Sequence, residues 1–155
     1  MKTLLLDIDN TLLHHDYSTG VDTPRPYLKE FLERMSKQYD IRFYTAARCT
    51  RITDLCRVLI HKLGMQDQPW IRKANRSSLG YDNCPMIAHQ TGPVSEINIK
   101  CLRKAATVLR IPYEDIAYIL DDMPMHDNPD QEKRIQVPGF WGQENDTYLR
   151  DLVLP

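Results

Sequence analysis

Net charge is almost absent from this sequence. Its 20 Lys and Arg nearly balance its 21 Asp and Glu, leaving −1 over 155 residues. That excludes a protein that coats nucleic acid or adheres to anionic membranes through bulk charge. There is also no apolar run near the ~20 residues needed to cross a bilayer. The opening MKTLLLDIDNTLL imitates a signal peptide for a few residues, but aspartates interrupt it at once and no small-residue cleavage site follows. The expected address is therefore cytoplasmic or nuclear. No C-x-x-C pair occurs. Cys49, Cys56, Cys84 and Cys101 are scattered, which reads as reduced, packed thiols. A zinc site from Cys84, His89 and Cys101 fits no common ligand spacing. No internal repeat and no low-complexity tract interrupts the chain.

What remains is an ordinary globular composition, 42% apolar and 26% charged. The length suffices for a buried core in a single domain over residues 1–155, with a possible small insert around 75–95. Leu4 to Ile8 is apolar without alternation, as in a strand buried on both faces. Asn10 to Thr23 reads as a loop or small hairpin. A helix follows, with Pro26 in its first turn and Leu28, Phe31, Leu32 and Met35 on one face. Asp40 to Thr45 is a second strand. Ile52, Leu55, Cys56, Leu59 and Leu63 mark a second helix, which Gly64 stops. The pattern then predicts a third strand at Trp70 to Arg72, a long irregular loop or short hairpin from 75 to 95, and a helix from Ile97 to Arg110. Ile116 to Leu120 is another buried strand, followed by a loop rich in Pro and Asp. A short strand near Arg134 to Val137 and a last helix from about Asp146 complete the reading. This alternation predicts a three-layer α/β/α sandwich with a mostly parallel central sheet.

In such sheets reactive groups collect beyond the carboxyl ends of the strands. Here those ends carry Asp7 and Asp9, then Thr45, then Asp121 and Asp122. Asp7 and Asp9 are i and i+2 in an extended segment and point the same way. Carboxylates so crowded repel one another, and one takes up a proton unless a cation intervenes. A hard divalent cation such as Mg²⁺, which prefers oxygen ligands, satisfies that demand.

The motifs resemble a known superfamily. DIDNTL is similar to the D-x-D-x-T signature of the haloacid dehalogenase superfamily. Thr45 resembles its second motif, Lys100 its third and ILDD its fourth. Lys104 lies one turn after Lys100 and competes for the third role. RPYLKEFLERMSKQYDIRFYTAA further resembles the R-P-x-x-x-x-F-L … F-T-A-S stretch of the NLI-interacting-factor-like phosphatases, which act on the C-terminal domain of RNA polymerase II. NPDQEKRIQVPGFWGQENDTYLRDLV is similar to that family's closing stretch. RIPYEDIAYILDD also resembles the small magnesium-dependent phosphatase group. Departures at Asn10, Arg48 and Cys101 bear on the substrate more than on the chemistry.

The resemblance implies a Mg²⁺-dependent phosphomonoester phosphatase of the haloacid dehalogenase-like fold. Asp7 would be the nucleophile, forming an aspartyl phosphate, and Asp9 the general acid and base. Asp7, Asp121, Asp122 and the backbone carbonyl of Asp9 would hold the metal. Thr45, Ala46, Arg48 and Lys100 would bind the phosphate. Thr11 is expected to stabilise the loop, and His14 and His15 to lie at the surface. The intervals between motifs are too short for a full cap domain, so an open site and a large substrate are expected. A phosphoprotein tail leads, and a nucleic-acid end is the alternative. Arg48 to Arg76 carries seven basic residues against two acidic ones, a solvated helix face or a shoulder for a polyanion.

Overall fold

A computed structural model describes residues 1–124 and 129–155. At its centre is a four-stranded parallel sheet, ordered β4 (Asp40–Phe43), β1 (Thr3–Leu6), β7 (Ile116–Asp121), β8 (Arg134–Gln136). Two antiparallel hairpins stand outside it. One joins β2 (Leu13–Asp16) to β3 (Val21–Pro24), and the other joins β5 (Ile87–Gln90) to β6 (Glu96–Ile99). The helices are α1 (Leu28–Met35), α2 (Thr50–Arg57), α3 (Pro69–Arg76), α4 (Leu102–Leu109) and α5 (Tyr148–Asp151). Among the described residues no helix is long and apolar enough to cross a membrane.

The unbroken apolar run of β1 follows from its place. It pairs in parallel with β4 on one side and β7 on the other, so both faces are covered. Leu4 and Leu6 join Phe31 and Leu32 of α1, Ile52 and Leu55 of α2, and Leu149 of α5. Leu5 points the opposite way, into a second cluster with Leu102, Ala105 and Ala106 of α4. The three leucines are fully buried, each worth roughly 1.5–3 kcal/mol of burial. Helices thus lie on both faces, the three-layer arrangement that the alternation predicts.

Three local expectations are corrected. Trp70 to Arg72 is not a strand but lies in α3, with Pro69 at the first helical position and Ile71 and Ala74 buried one turn apart. A helical spacing of only two buried residues is easily read as a short strand. Beside β4, the sheet extends only through a single bridge between Tyr44 and Leu79. Next, the helix expected from Ile97 starts five residues later, at Leu102, because Ile97 and Ile99 belong to β6. Their i, i+2 spacing and β-branching suit a strand. Finally, Pro26 lies in a turn outside α1, since Tyr27 takes a left-handed conformation (φ 65°) and the helix begins at Leu28. Gly64, with φ 63°, does end the α2 segment, which closes in a π-helical turn over Val58–Lys62. Part of the Pro- and Asp-rich loop expected after Asp122, residues 125–128, lies outside the described residues.

Gly80 fixes the loop beyond β4. Leu79 accepts from the Thr45 amide at 2.9 Å, and Tyr81 donates to the Ala47 carbonyl at 2.6 Å. A Cβ on Gly80 would stand 2.6 Å from the Cys49 nitrogen and 2.9 Å from the Arg48 carbonyl carbon. Both are backbone atoms and cannot swing aside. Gly80→Ala is therefore expected to cost about 1–3 kcal/mol, measured by urea denaturation, because the backbone from Thr45 to Cys49 must shift to admit the methyl group.

Candidate active site

Parallel pairing places like ends of strands together. Leu6 is opposite Leu120 and Phe43, so the residues that follow meet at one rim. Asp7 continues β1, its amide donating to the Leu120 carbonyl at 2.9 Å. Asp121 ends β7, and Thr45 follows β4. Asp7, Asp121 and Thr45 are all buried.

Lys100 enters between the two acids. Its Nζ donates to Asp7 Oδ1 at 2.6 Å and lies 2.9 Å from Asp121 Oδ2. It is buried, and its ammonium stands 5.6 Å from the centre of the Tyr44 ring. Lys100 lies just before α4 rather than on it, and Arg134 donates to its carbonyl at 2.7 Å. Lys104, on α4, is exposed. The buried Thr11 hydroxyl donates to Asp7 Oδ2 at 2.8 Å and accepts from the Asp122 amide at 3.2 Å. The Met123 amide donates to Asp121 Oδ1 at 3.1 Å.

Carboxylate oxygens of Asp7, Asp121 and Asp122 lie within 4.8 Å of one another. One lysine cannot balance three acids. Burial pushes the Asp7 carboxyl up to about 8, with Lys100 pulling against it and Asp121 adding to it. Burial also raises Asp122. Lys100 shows the reverse balance: burial lowers its pKa, but Asp7 and Asp121 override that and hold the ammonium charged. The cluster demands further positive charge, either protons or a cation. Its donors are all carboxylate oxygens, the set that suits a hard divalent ion. Cys84, His89 and Cys101 form no comparable group among the described residues.

These residues border a cavity of about 190 Å³ that Asp9, Asn10, Ala46 and Met86 also line. Of the residues singled out from sequence, Asp7, Asp9, Thr45, Ala46, Lys100, Asp121 and Asp122 come together there. Arg48 does not: it is exposed on the loop after Ala46 and outside the cavity lining. The side chain of Asp9 stands apart from the carboxylate cluster and pairs with Arg51 at 2.7 Å. Thr45 Oγ1 accepts from the Ala47 amide at 3.0 Å, and α2 begins only at Thr50. Neither His14 nor His15 lines the cavity. His14 packs edge-on to Trp141, and His15 pairs with Asp22. Nothing in the linear pattern marks Met86 or Arg51 as site residues. Asn10, by contrast, adjoins the signature and takes φ 61°, which turns the chain sharply after Asp9.

Comparison with known proteins gives a family and a shared fold. The family model described as NLI interacting factor-like phosphatase matches residues 2–155. A fruit-fly protein, the ubiquitin-like domain-containing CTD phosphatase 1 of Drosophila melanogaster, is 42% identical over 60 residues, 37% of this chain. The chain spans 19% of that relative's length. A solved structure of the fission yeast RNA polymerase II CTD phosphatase Fcp1-R271A bound to beryllium fluoride shares the fold, with a TM-score of 0.53 and 16% identity. The match covers 90% of this chain and 42% of that one.

Lys100→Met leaves Asp7 and Asp121 buried without their shared cation. In metal-free buffer this variant is expected to lose about 3–5 kcal/mol of stability, read from the urea midpoint. Lys104→Met, at an exposed position, is expected to shift it by less than about 0.5 kcal/mol.

Proposed function

The chain belongs to the NLI interacting factor-like phosphatase family, and from that premise we propose that it hydrolyses phosphate monoesters through an aspartyl phosphate on Asp7. One observation carries this reading. Asp7 lies at the end of β1, in a cavity, with a lysine ammonium 2.6 Å from one oxygen and a hydroxyl 2.8 Å from the other.

Asp7, Asp121 and Asp122, with the backbone carbonyl of Asp9, would hold Mg²⁺. When bound, the ion supplies the positive charge that lets a carboxylate approach a phosphate dianion. A carboxylate oxygen of Asp7 attacks phosphorus, and the bond from phosphorus to the leaving oxygen breaks. Lys100 neutralises charge on the phosphoryl oxygens, and its fixed position keeps the reorganisation small. Thr45 and the backbone at Ala46 orient those oxygens. Asp9 delivers a proton to the leaving oxygen. It then takes one from the water that attacks phosphorus, and Asp7 is released as a carboxylate.

A phosphorylated protein segment is the substrate class best supported. The site has no cap among the described residues, and a wider groove of about 620 Å³, bordered by Tyr81, Ile97 and Asn98, shares Met86 and Met123 with the cavity. Two relatives carry names that describe them as CTD phosphatases. A polynucleotide end is less favoured because the basic excess from Arg48 to Arg76 is largely engaged in ion pairs. Arg51 pairs with Asp9 and Asp22, Arg57 with Asp54, Arg72 with Asp67, and Lys73 with Asp40.

Hydrolysis of p-nitrophenyl phosphate is expected to require Mg²⁺ and to fall by about 10³-fold or more in Asp7→Asn. Full activity in EDTA, or in that variant, would sink the reading. Phosphopeptides set against 3′-phosphorylated oligonucleotides then separate the two substrate classes, with faster turnover expected for the peptides.

A further inference from the structure

Asp9 is the acid of the D-x-D pair that the carboxylate cluster leaves out. Its Oδ1 accepts two bonds from Arg51, from Nε at 3.0 Å and from Nη2 at 2.7 Å. Arg51 belongs to the first turn of α2, 42 positions further along the chain. The same guanidinium forks onto Asp22 of β3, Nη1 to Oδ2 at 2.8 Å and Nη2 to Oδ1 at 2.7 Å. Asp54 stands 3.6 Å from Nη1. Asp22 is held in turn: His15, its partner across the hairpin, places Nδ1 2.8 Å from Oδ1. The Lys62 ammonium donates to the Asp22 carbonyl at 2.6 Å.

A guanidinium has five N–H donors in a rigid plane. Here one goes from Nε to Asp9, two from Nη2 to Asp9 and Asp22, and one from Nη1 to Asp22. Four of the five are thus committed to carboxylates, Asp54 stands 3.6 Å from Nη1, and the side chain is only 12% exposed. Arg51 therefore does not belong to a substrate-binding basic shoulder. Both of its bonds to Asp9 fall on one oxygen, so Oδ2 keeps its lone pairs.

We propose that Asp22 and Arg51 form a rigid bracket that positions Asp9, gripping Oδ1 and presenting Oδ2 to the leaving-group oxygen. This rests on the acid–base reading of Asp9 given above. Without the bracket, Asp9, the more exposed of the pair, rotates into solvent and meets the leaving oxygen only part of the time. With it, the proton passes from Oδ2 to that oxygen as the phosphorus–oxygen bond breaks. The charge left on Asp9 faces an arginine already in place. Asp22 keeps the guanidinium plane from turning away. Arg51 is thus a positioning residue, and the hairpin that follows the signature anchors it.

The test is kcat/KM on phenyl phosphate and on p-nitrophenyl phosphate, in Mg²⁺, for wild type, Asp9→Asn, Arg51→Ala, Arg51→Lys and Asp22→Asn. Phenolate leaves poorly and needs the proton, whereas p-nitrophenolate leaves readily. Asp9→Asn is expected to lose far more on the first substrate than on the second. Arg51→Ala is expected to reproduce that selectivity, its loss on phenyl phosphate exceeding the other by about ten-fold. Arg51→Lys is expected not to restore it, because an ammonium cannot span both carboxylates as the fork does. Asp22→Asn, which keeps the side-chain shape, is expected to fall between and carries the test if Arg51→Ala does not fold. An unchanged ratio in folded Arg51→Ala and in Asp22→Asn, with Asp9→Asn selective, overturns the bracket alone. An unchanged ratio in Asp9→Asn overturns the acid–base reading and the bracket with it.

Discussion

The Lys100 ammonium between Asp7 and Asp121 is the contact on which the site depends. Parallel pairing of β1 with β7 forces the two acids together at the sheet's carboxyl edge. Neither acid can retreat: each is anchored by strand backbone, and each is buried. Uncompensated, that burial would cost several kcal/mol per charge. Lys100 supplies one positive charge at 2.6 and 2.9 Å. Thr11 and the Met123 amide satisfy further lone pairs. With Asp122 added, the negative charge of three ionised carboxylates exceeds the positive, a deficit that protons or a cation would fill. Stability and chemistry thus pull on the same atoms, as is common at sites with perturbed carboxyl groups.

Around that contact the chain builds two supports. The first ties the C-terminal stretch to the signature loop. Arg25 is fully buried, donates to Asp146 from Nε and Nη2 at 3.0 and 2.9 Å, and reaches the Thr11 carbonyl at 3.1 Å. Phe140 and Tyr148 flank its guanidinium, and the Phe140 amide donates to the Asn10 carbonyl at 2.7 Å. The second support is the Asp22–Arg51 bracket at Asp9. One arginine therefore steadies the loop that follows Asp7, and the other steadies the side chain of Asp9. The two-oxygen forks of Arg25 onto Asp146 and of Arg51 onto Asp22 fix orientation as well as proximity.

Much of this was legible along the chain. The unbroken apolar runs at Leu4 and Ile116 demanded strands covered on both faces, and the strand–helix alternation demanded parallel pairing. Aspartates at the ends of those runs then had to share a rim. Trp70 to Arg72 is ambiguous along the chain because three residues do not distinguish a turn of helix from a strand; the packing of Ile71 and Ala74 into the core decides for helix. Ile97 and Ile99 are ambiguous for a similar reason, since only pairing with Ile87 to Gln90 makes them a strand.

Periodicity therefore determined the fold class and the placement of Asp7 and Asp121 where β1 and β7 run out, because those features depend on local burial and on spacing within one element. Tertiary structure alone decided which charges meet. Lys100 rather than Lys104 reaches Asp7, Arg48 lies outside the cavity, and Arg51 closes on Asp9 and Asp22 across 42 and 29 positions. Such pairings depend on where distant segments cross in space, and a side chain's reach of a few ångströms leaves no trace in sequence spacing.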